Sequence, residues 1–324
     1  MSRLSNWWRA GVLALATAGF VPMACAEAPQ VKTQVPGYYR HMVGGFELTA
    51  LYDGQIELDA AILKNTPPQE VHKLLAYAFR KSPMATAVNT YLVNTGRQLV
   101  LIDTGAGKAF GPGLGQVLAN LQAAGYQPDQ VDAVLLTHLH GDHVAGLLDA
   151  DGRPAFPKAT LYYAKKDADF WLNPEIAAKA PEEARGFFKI AQDMLAPYIA
   201  AGRTQTFDGT DVEILPGIRA LATPGHTPGH TSFLLESAGE RLLVWGDIVH
   251  NVYVQLARPE TTIEFDIDQK QAAATRKRVL DLAARERLMV SGMHLPFPGI
   301  GQIRADRRGR YSWVPVDFAP VRKD

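Results

Sequence analysis

An apolar run from Val131 to Leu136 ends in Thr137-His138-Leu139-His140-Gly141-Asp142-His143, which places three imidazoles and a carboxylate within six residues. Only nine histidines occur in the 324 residues, so a third of them stand in this one stretch. Such a cluster is suited to holding metal. His and Asp are borderline-to-hard ligands for zinc, manganese, iron or cobalt, and alternation on an extended or tightly turned segment aims their side chains at one locus. Histidines scattered by chance over an exposed loop are the bland alternative, and the density of the cluster argues against it. The preceding apolar run reads as the strand that delivers the cluster, and two ions are within its capacity.

Four further segments put ligand types after strand-like runs: Leu99-Val100-Leu101-Ile102-Asp103-Thr104-Gly105, Thr223-Pro224-Gly225-His226-Thr227-Pro228-Gly229-His230, Leu242-Leu243-Val244-Trp245-Gly246-Asp247 and Val290-Ser291-Gly292-Met293-His294. The H-x-H-x-D-H motif with these segments in this order resembles the signature of the metallo-β-lactamase superfamily. The resemblance implies an α/β fold, an αββα sandwich of two mixed β-sheets packed face to face with helices outside and metals at one edge. Carried over residue by residue, one metal is held by His138, His140 and His226, the second by Asp142, His143 and His294, and Asp247 bridges them. Asp103 is then expected to support the ligands by hydrogen bonding from behind. His226 follows a Pro-Gly turn and is preferred to His230, one turn later. Asp247 also suits a helix N-cap or turn, and His294 gains its meaning only from the ordered set. The implied cofactors are two divalent ions, zinc the first choice. Full coordination of both sites separates this set from persulfide dioxygenases, which use one iron, and zinc β-lactamases usually lack an Asp at the place of Asp247.

Water between two such cations loses a proton near neutral pH, so the resemblance implies hydrolysis of an ester-like centre by a metal-bridging hydroxide, with Asp142 and Asp247 orienting the water. Ala28-Pro29-Gln30-Val31, Pro36-Gly37-Tyr38-Tyr39-Arg40, Tyr91-Leu92-Val93-Asn94-Thr95-Gly96, Ala124-Gly125-Tyr126-Gln127-Pro128 and Phe297-Pro298-Gly299-Ile300-Gly301 are similar to phrases of methyl parathion hydrolases and their lactonase or arylesterase relatives. That branch implies an aromatic substrate pocket at Phe110, Trp171 and Phe187, although core packing is the ordinary use of such residues. His250 stands where methyl parathion hydrolases carry an apolar residue and acyl-homoserine lactonases a Tyr. It could donate a hydrogen bond or a proton to a lactone or ester oxygen, or be a loop histidine. Ile263 and Phe265 are expected to make the same edge bulkier. These features favour small lactones or aryl esters as substrates. An organophosphate triester hydrolase is the alternative within the class, and a metal-binding or iron redox protein the alternative outside it. Dimers are common among such relatives, which leaves a homodimer open.

Residues 1–26 carry Arg3 and Arg9, an apolar run from Gly11 to about Met23, and Ala24-Cys25-Ala26, the pattern of a cleaved signal peptide. The run is short for a spanning helix, and Pro22-Met23-Ala24 lacks the Leu usual before a lipoprotein cysteine. A periplasmic or secreted protein with no lasting membrane partner is expected. Cleavage removes two of the 33 Lys and Arg residues against 33 Asp and Glu, for a net charge of −2, and takes away Cys25, the sole cysteine. The remaining chain has neither disulfide nor thiolate ligand, and at this length its core needs no covalent staple. Near-neutral charge without basic clusters argues against a nucleic-acid substrate. Arg304, Arg307, Arg308 and Arg310 read as a solvated hairpin.

Period-two alternation makes Phe46–Leu51 a half-buried strand, and residues 88–93 and 98–102 form a hairpin about Asn94-Thr95-Gly96. Short strands are expected at 131–136, 160–163, 212–215, 218–222, 231–235 and 242–245. Helical spacing marks 114–124, 181–200 and 268–284, the last capped by Asp266 or Asp268. Residues 27–45 are expected to form an extended arm preceding one hydrolase domain, 46–324.

Overall fold

The computed structural model describes residues 28–321, so the expected signal peptide lies outside the described residues. Residues 28–35 carry no helix or strand and are exposed. The body begins at Pro36. Its first half contains β1 (Tyr38–Val43), β2 (Phe46–Leu58), β3 (Leu63–Lys64), β4 (Met84–Asn94), β5 (Leu99–Ile102), β6 (Ala133–Leu135), β7 (Thr160–Ala164) and β8 (Thr204–Phe207). The second half contains β9 (Asp211–Leu215), β10 (Ile218–Ala222), β11 (Thr231–Ser237), β12 (Glu240–Val244), β13 (Thr262–Ile263), β14 (Met289–Ser291), β15 (Ile300–Ala305) and β16 (Tyr311–Pro315).

Seven strands in the order β1-β2-β4-β5-β6-β7-β8 form one sheet, and seven in the order β16-β15-β14-β12-β11-β10-β9 form the other. Both are mixed. The pairs β5–β6, β6–β7, β7–β8 and β12–β14 run parallel, and the rest of each sheet is antiparallel. Strand β5 shows why the sheets stack as layers: Val100 and Ile102 enter the core between the sheets, whereas Leu99 and Leu101 face the helices outside. A strand covered on both faces must be apolar throughout, which is what its sequence shows. Phe233, Leu235, Leu242 and Val244 fill the inner layer from the second sheet. Helix Glu182–Ala200 covers the first sheet through Phe188, Leu195 and Tyr198, and helix Gln269–Arg285 covers the second through Val279, Leu280 and Ala283. The arrangement is the expected αββα sandwich.

Most expected elements occur within a few residues of their predicted bounds. The helix expected from Leu114 starts at Val117, because Gly115 adopts a positive φ that ends the preceding loop. Strand β2 continues seven residues beyond Leu51. The arm expected over 27–45 is corrected in its second part: Tyr38–Val43 pair with Phe46–Leu51 as an antiparallel edge strand, and Tyr39 and Val43 are buried in the core between the sheets. The arginine-rich segment is the turn between β15 and β16, with Arg308 at φ 62°.

Gly146 packs directly on the backbone of Thr104, where a Cβ would fall inside contact distance of the Thr104 carbonyl oxygen. Thr104 in turn donates both its N–H and its hydroxyl to the His143 carbonyl, each at 2.8 Å. Gly146→Ala is therefore expected to push the end of β5 away from the histidine segment and destabilise the fold by about 1–3 kcal/mol, the cost of forcing extra volume into a packed site. Denaturant unfolding at matched metal content measures the loss.

Candidate metal centre

The histidine segment follows β6, and Asp103 terminates the neighbouring parallel strand β5. Its φ of 58° is the left-handed conformation that Asp tolerates better than most residues. His226 lies in the loop between β10 and β11, Asp247 follows β12, and His294 follows β14. Five strand ends from two sheets thus deliver the site to one edge of the sandwich.

The side chains predicted from sequence come together. Ligand atoms of His138, His140 and His226 lie within 4.8 Å of one another, as do those of Asp142, His143 and His294. Asp247 joins both groups. Its Oδ2 is 3.0 Å from His294 Nε2, 3.3 Å from His143 Nε2, 3.3 Å from His226 Nε2 and 3.7 Å from His138 Nε2. Hydrogen bonds on the far side of the rings set the tautomers. His143 Nδ1–H donates to Asp103 Oδ2 at 2.7 Å, and His226 Nδ1–H donates to Asp266 Oδ1 at 2.8 Å, since a carboxylate only accepts. Thr137 gives its hydroxyl proton to Asp103, so its oxygen accepts from His138 Nδ1–H at 3.1 Å. His294 Nδ1–H donates to the Ala87 carbonyl at 2.9 Å. Nε2 of each ring then faces inward, and that of His294 reaches the Asp247 carboxylate at 3.0 Å, which accepts its proton while no metal displaces it. Nε2 of His138, His143 and His226 and Oδ1 of Asp247 are buried without a hydrogen-bond partner. Buried acceptors that converge without donors call for cations, and the His and Asp set suits divalent metals.

Residues 84–294 match the model of the metallo-β-lactamase superfamily, and these limits enclose all the residues just described. The chain belongs to this superfamily. It is similar to a solved structure described as hydrolase AbOPH in the β-lactamase superfamily, 43% identical, with a TM-score of 0.84 over 89% of this chain and 100% of that one. A second, AidC, described as a dizinc quorum-quenching lactonase in complex with its product N-hexanoyl-L-homoserine, is 28% identical with a TM-score of 0.81 over 88% of this chain and 99% of that one. Among curated proteins, atrochrysone carboxyl ACP thioesterase of Passalora fulva is 34% identical over 50% of this chain, an alignment that spans 38% of the thioesterase.

Electrostatics in this metallo-β-lactamase centre follow from burial and crowding. Burial pulls the Asp247 carboxyl upward, but His143, His294 and His250 outweigh it and hold the group well below the ordinary carboxylate range. Burial and the neighbouring His143 drive His138 down, and burial with His226 does the same to His140, so both rings favour the neutral, ligating form. For His226 burial lowers the pKa, and Asp247 and Asp266 more than reverse it, to about 9, so a metal held there must displace the ring's second proton. His230, the histidine set aside in favour of His226, has both nitrogens engaged. Its Nε2 accepts the Asp247 amide proton at 2.9 Å and its Nδ1–H is held by Thr223, so it positions the bridging residue's backbone and has no lone pair for a metal.

Three supporting residues escaped the sequence reading. Asp266, one of two caps considered for the last helix, instead anchors His226, while Asp268 caps that helix by accepting from Gln271 N–H. Arg276 is 1% exposed and donates to the carbonyls of Ile248, Pro259 and Thr261, with Asp266 at 3.7 Å. Asp167 is buried and accepts from Leu139 N–H, Thr227 hydroxyl and Gly229 N–H, tying the two histidine loops together.

A chamber of about 150 Å³ opens on the centre, walled by Ile56, Leu58, Val88, Leu114, Phe110, Phe187 and Phe265, with His140, Asp142, His226, Asp247, His250 and His294 at its polar end. Two expected pocket residues lie elsewhere. Trp171 stays out of this chamber: it is 2% exposed, packed against Phe188 and edge-on to His140. Ile263 pairs with Leu63 across β13 and β3 and packs with Val71 and Leu75 in a satellite core, because its short strand turns the side chain away from the metals. Asp266→Asn is expected to weaken divalent-metal binding 10–100-fold, the usual effect of losing a carboxylate behind a metal-directed histidine. Competition against a chromophoric chelator measures it.

Proposed function

We propose that this chain is a dinuclear metal-dependent hydrolase of small, uncharged lactones or aryl esters. The observation that carries the reading is the joining of two ligand groups through Asp247 at the polar end of an otherwise apolar chamber. His138, His140 and His226 would hold one ion, Asp142, His143 and His294 the other, and Asp247 both, with zinc the first choice. When bound, the ions supply hydroxide at neutral pH and polarise the carbonyl under attack.

The chain's own residues do the rest. Asp142 and Asp247, both at the chamber, accept hydrogen bonds from the attacking water and fix its direction. Phe110, Phe187 and Phe265 present aromatic faces that hold an aryl or lactone ring. Gly141 is what lets the Phe110 ring lie against the metal-binding turn, where a Cβ would press into the ring. Among the described residues no Lys or Arg lines the chamber, so it offers no side-chain ion-pair partner to a carboxylate-bearing β-lactam or a phosphomonoester and suits a neutral substrate. His250 Nε2 lies 3.1 Å from Asp247 Oδ2, and its ring is stacked on His294 with centroids 5.0 Å apart. Burial lowers its pKa to about 4, so the ring is neutral, and the Nε2–H that it shares with Asp247 offers the carbonyl or leaving-group oxygen a hydrogen bond rather than a proton, the role that separates this site from one built for phosphotriesters. The lactonase description of AidC and the thioesterase description of the Passalora fulva protein both concern acyl transfer to water, which supports the same reaction class.

Purified protein carrying about two zinc ions per chain by elemental mass spectrometry is expected to hydrolyse dihydrocoumarin or phenyl acetate with higher kcat/KM than a phosphotriester. The reverse order would replace the substrate class, and about one iron with no hydrolysis would replace the reaction. Asp247→Ala is expected to lower metal content and activity together, by tenfold or more in kcat/KM; unchanged stoichiometry would remove the residue from its bridging role. His250→Leu is expected to retain its metals and lose about 10- to 100-fold in lactone kcat. Equal turnover on every lactone and ester would reduce His250 to a structural residue.

A further inference from the structure

The metal chamber is too small to be a whole substrate site. At about 150 Å³ it falls below the 300–1,000 Å³ typical of pockets for small organic ligands. Beside it lies a larger cleft of about 620 Å³, between helices Lys165–Trp171, Pro174–Lys179 and Glu182–Ala200 and the segment after β13. The two cavities share His140, Phe187 and Phe265. Phe187 and Phe265 face each other with ring centroids 6.4 Å apart, so the shared wall is a pair of half-buried aromatic side chains rather than backbone. Beyond them the cleft is walled by Phe170, Trp171, Ile176, Ala184, Phe188 and Ile267. Its charged members, Lys179, Glu183 and Glu264, are exposed.

We infer that this outer cleft receives a linear, medium-length apolar acyl arm of the substrate while the ester group lies at the metals, the touching side chains of Phe187 and Phe265 turning aside to let it pass. The inference rests on the hydrolase reading and extends it from a small ester to a medium-chain one. Polarity sets the direction of the substrate. His250 and His294 border a separate polar groove with Arg80, Gln55 and Asn251, whereas His140 borders the cleft. The oxygen-bearing leaving group, which needs polar surroundings, therefore lies toward His250 and this groove. The acyl carbon chain, which needs apolar surface, lies toward His140 and the cleft. Trp171, expected from sequence to contact substrate beside the metals, lines this outer cleft instead.

The test is a p-nitrophenyl ester series from acetyl to octanoyl on the zinc-loaded protein, with Ala184→Trp and, on a separate helix, Ile176→Trp as variants that fill the cleft. Expected is a rise in kcat/KM of about fourfold per methylene over the first several carbons, the effect of burying each in apolar surroundings. Each filled variant is expected to lower the octanoyl-to-acetyl ratio at least tenfold. A flat series, or a ratio unchanged in both folded variants, overturns the inference and leaves the hydrolase intact. Octanoate and acetate binding, followed by Trp171 fluorescence, decides the matter without turnover. If no ester is cleaved, tighter octanoate binding that the filled variants abolish supports the cleft while rejecting hydrolysis. Equal binding of the two acids overturns the cleft as well.

Discussion

One carboxylate oxygen organises this protein. Oδ2 of Asp247 has Nε2 atoms of His294, His250, His143, His226 and His138 between 3.0 and 3.7 Å away, all from buried rings. Burying so many polar groups together is expensive unless every lone pair and proton is met. The chain meets the outward half itself: carboxylates at Asp103 and Asp266, the Thr137 hydroxyl and the Ala87 carbonyl hold the Nδ1 protons. On the inward side Nε2 of His138, His143 and His226 and Oδ1 of Asp247 find no hydrogen-bond partner, and this asymmetry gives the site its demand for cations.

The sandwich exists around that demand. Asp103 and the histidine segment come from adjacent parallel strands of one sheet, while Asp247 and His294 follow the paired strands β12 and β14 of the other. Inner-layer residues such as Val100, Ile102, Phe233 and Val244 hold the two sheets face to face, so core packing sets the distance between the ligand groups. The connections that wrap the site add buried polar ties. Asp167 binds the loop after β6 to the loop after β10, and Arg276 gathers the carbonyls after Asp247 with those before Asp266. Neither group needs to touch a metal to set its geometry.

Substrate selection follows from what stands around the polar end. Aromatic rings and aliphatic side chains of β2 and β4 line the chamber without a cationic residue, which favours neutral molecules. The same rings separate it from the larger cleft, so Phe187 and Phe265 connect where chemistry occurs with where bulk is accommodated.

The strand pattern and the metal-directed residues were legible in sequence for a physical reason. Strands such as β5 and β6 are buried on both faces and so are uninterrupted apolar runs, and the ligands sit immediately after them in turns marked by Gly and Pro. His138, His140, Asp142 and His143 are local in the chain, and a local pattern survives in one dimension. The places of four residues were decided by tertiary structure alone. Asp167 lies in the charged run Lys165-Lys166-Asp167-Ala168-Asp169 and Arg276 in the basic segment Thr275-Arg276-Lys277-Arg278; both resemble solvated helix surface until folding buries one charged member of each. Ile263 and Trp171 have the apolar character of pocket residues, but side-chain direction depends on pairing with β3 and on packing against Phe188, contacts between segments far apart in sequence. Composition and order therefore determined which chemistry this chain carries. Long-range packing decided which equally suitable residues face it, because facing is a relation between segments that no single segment encodes.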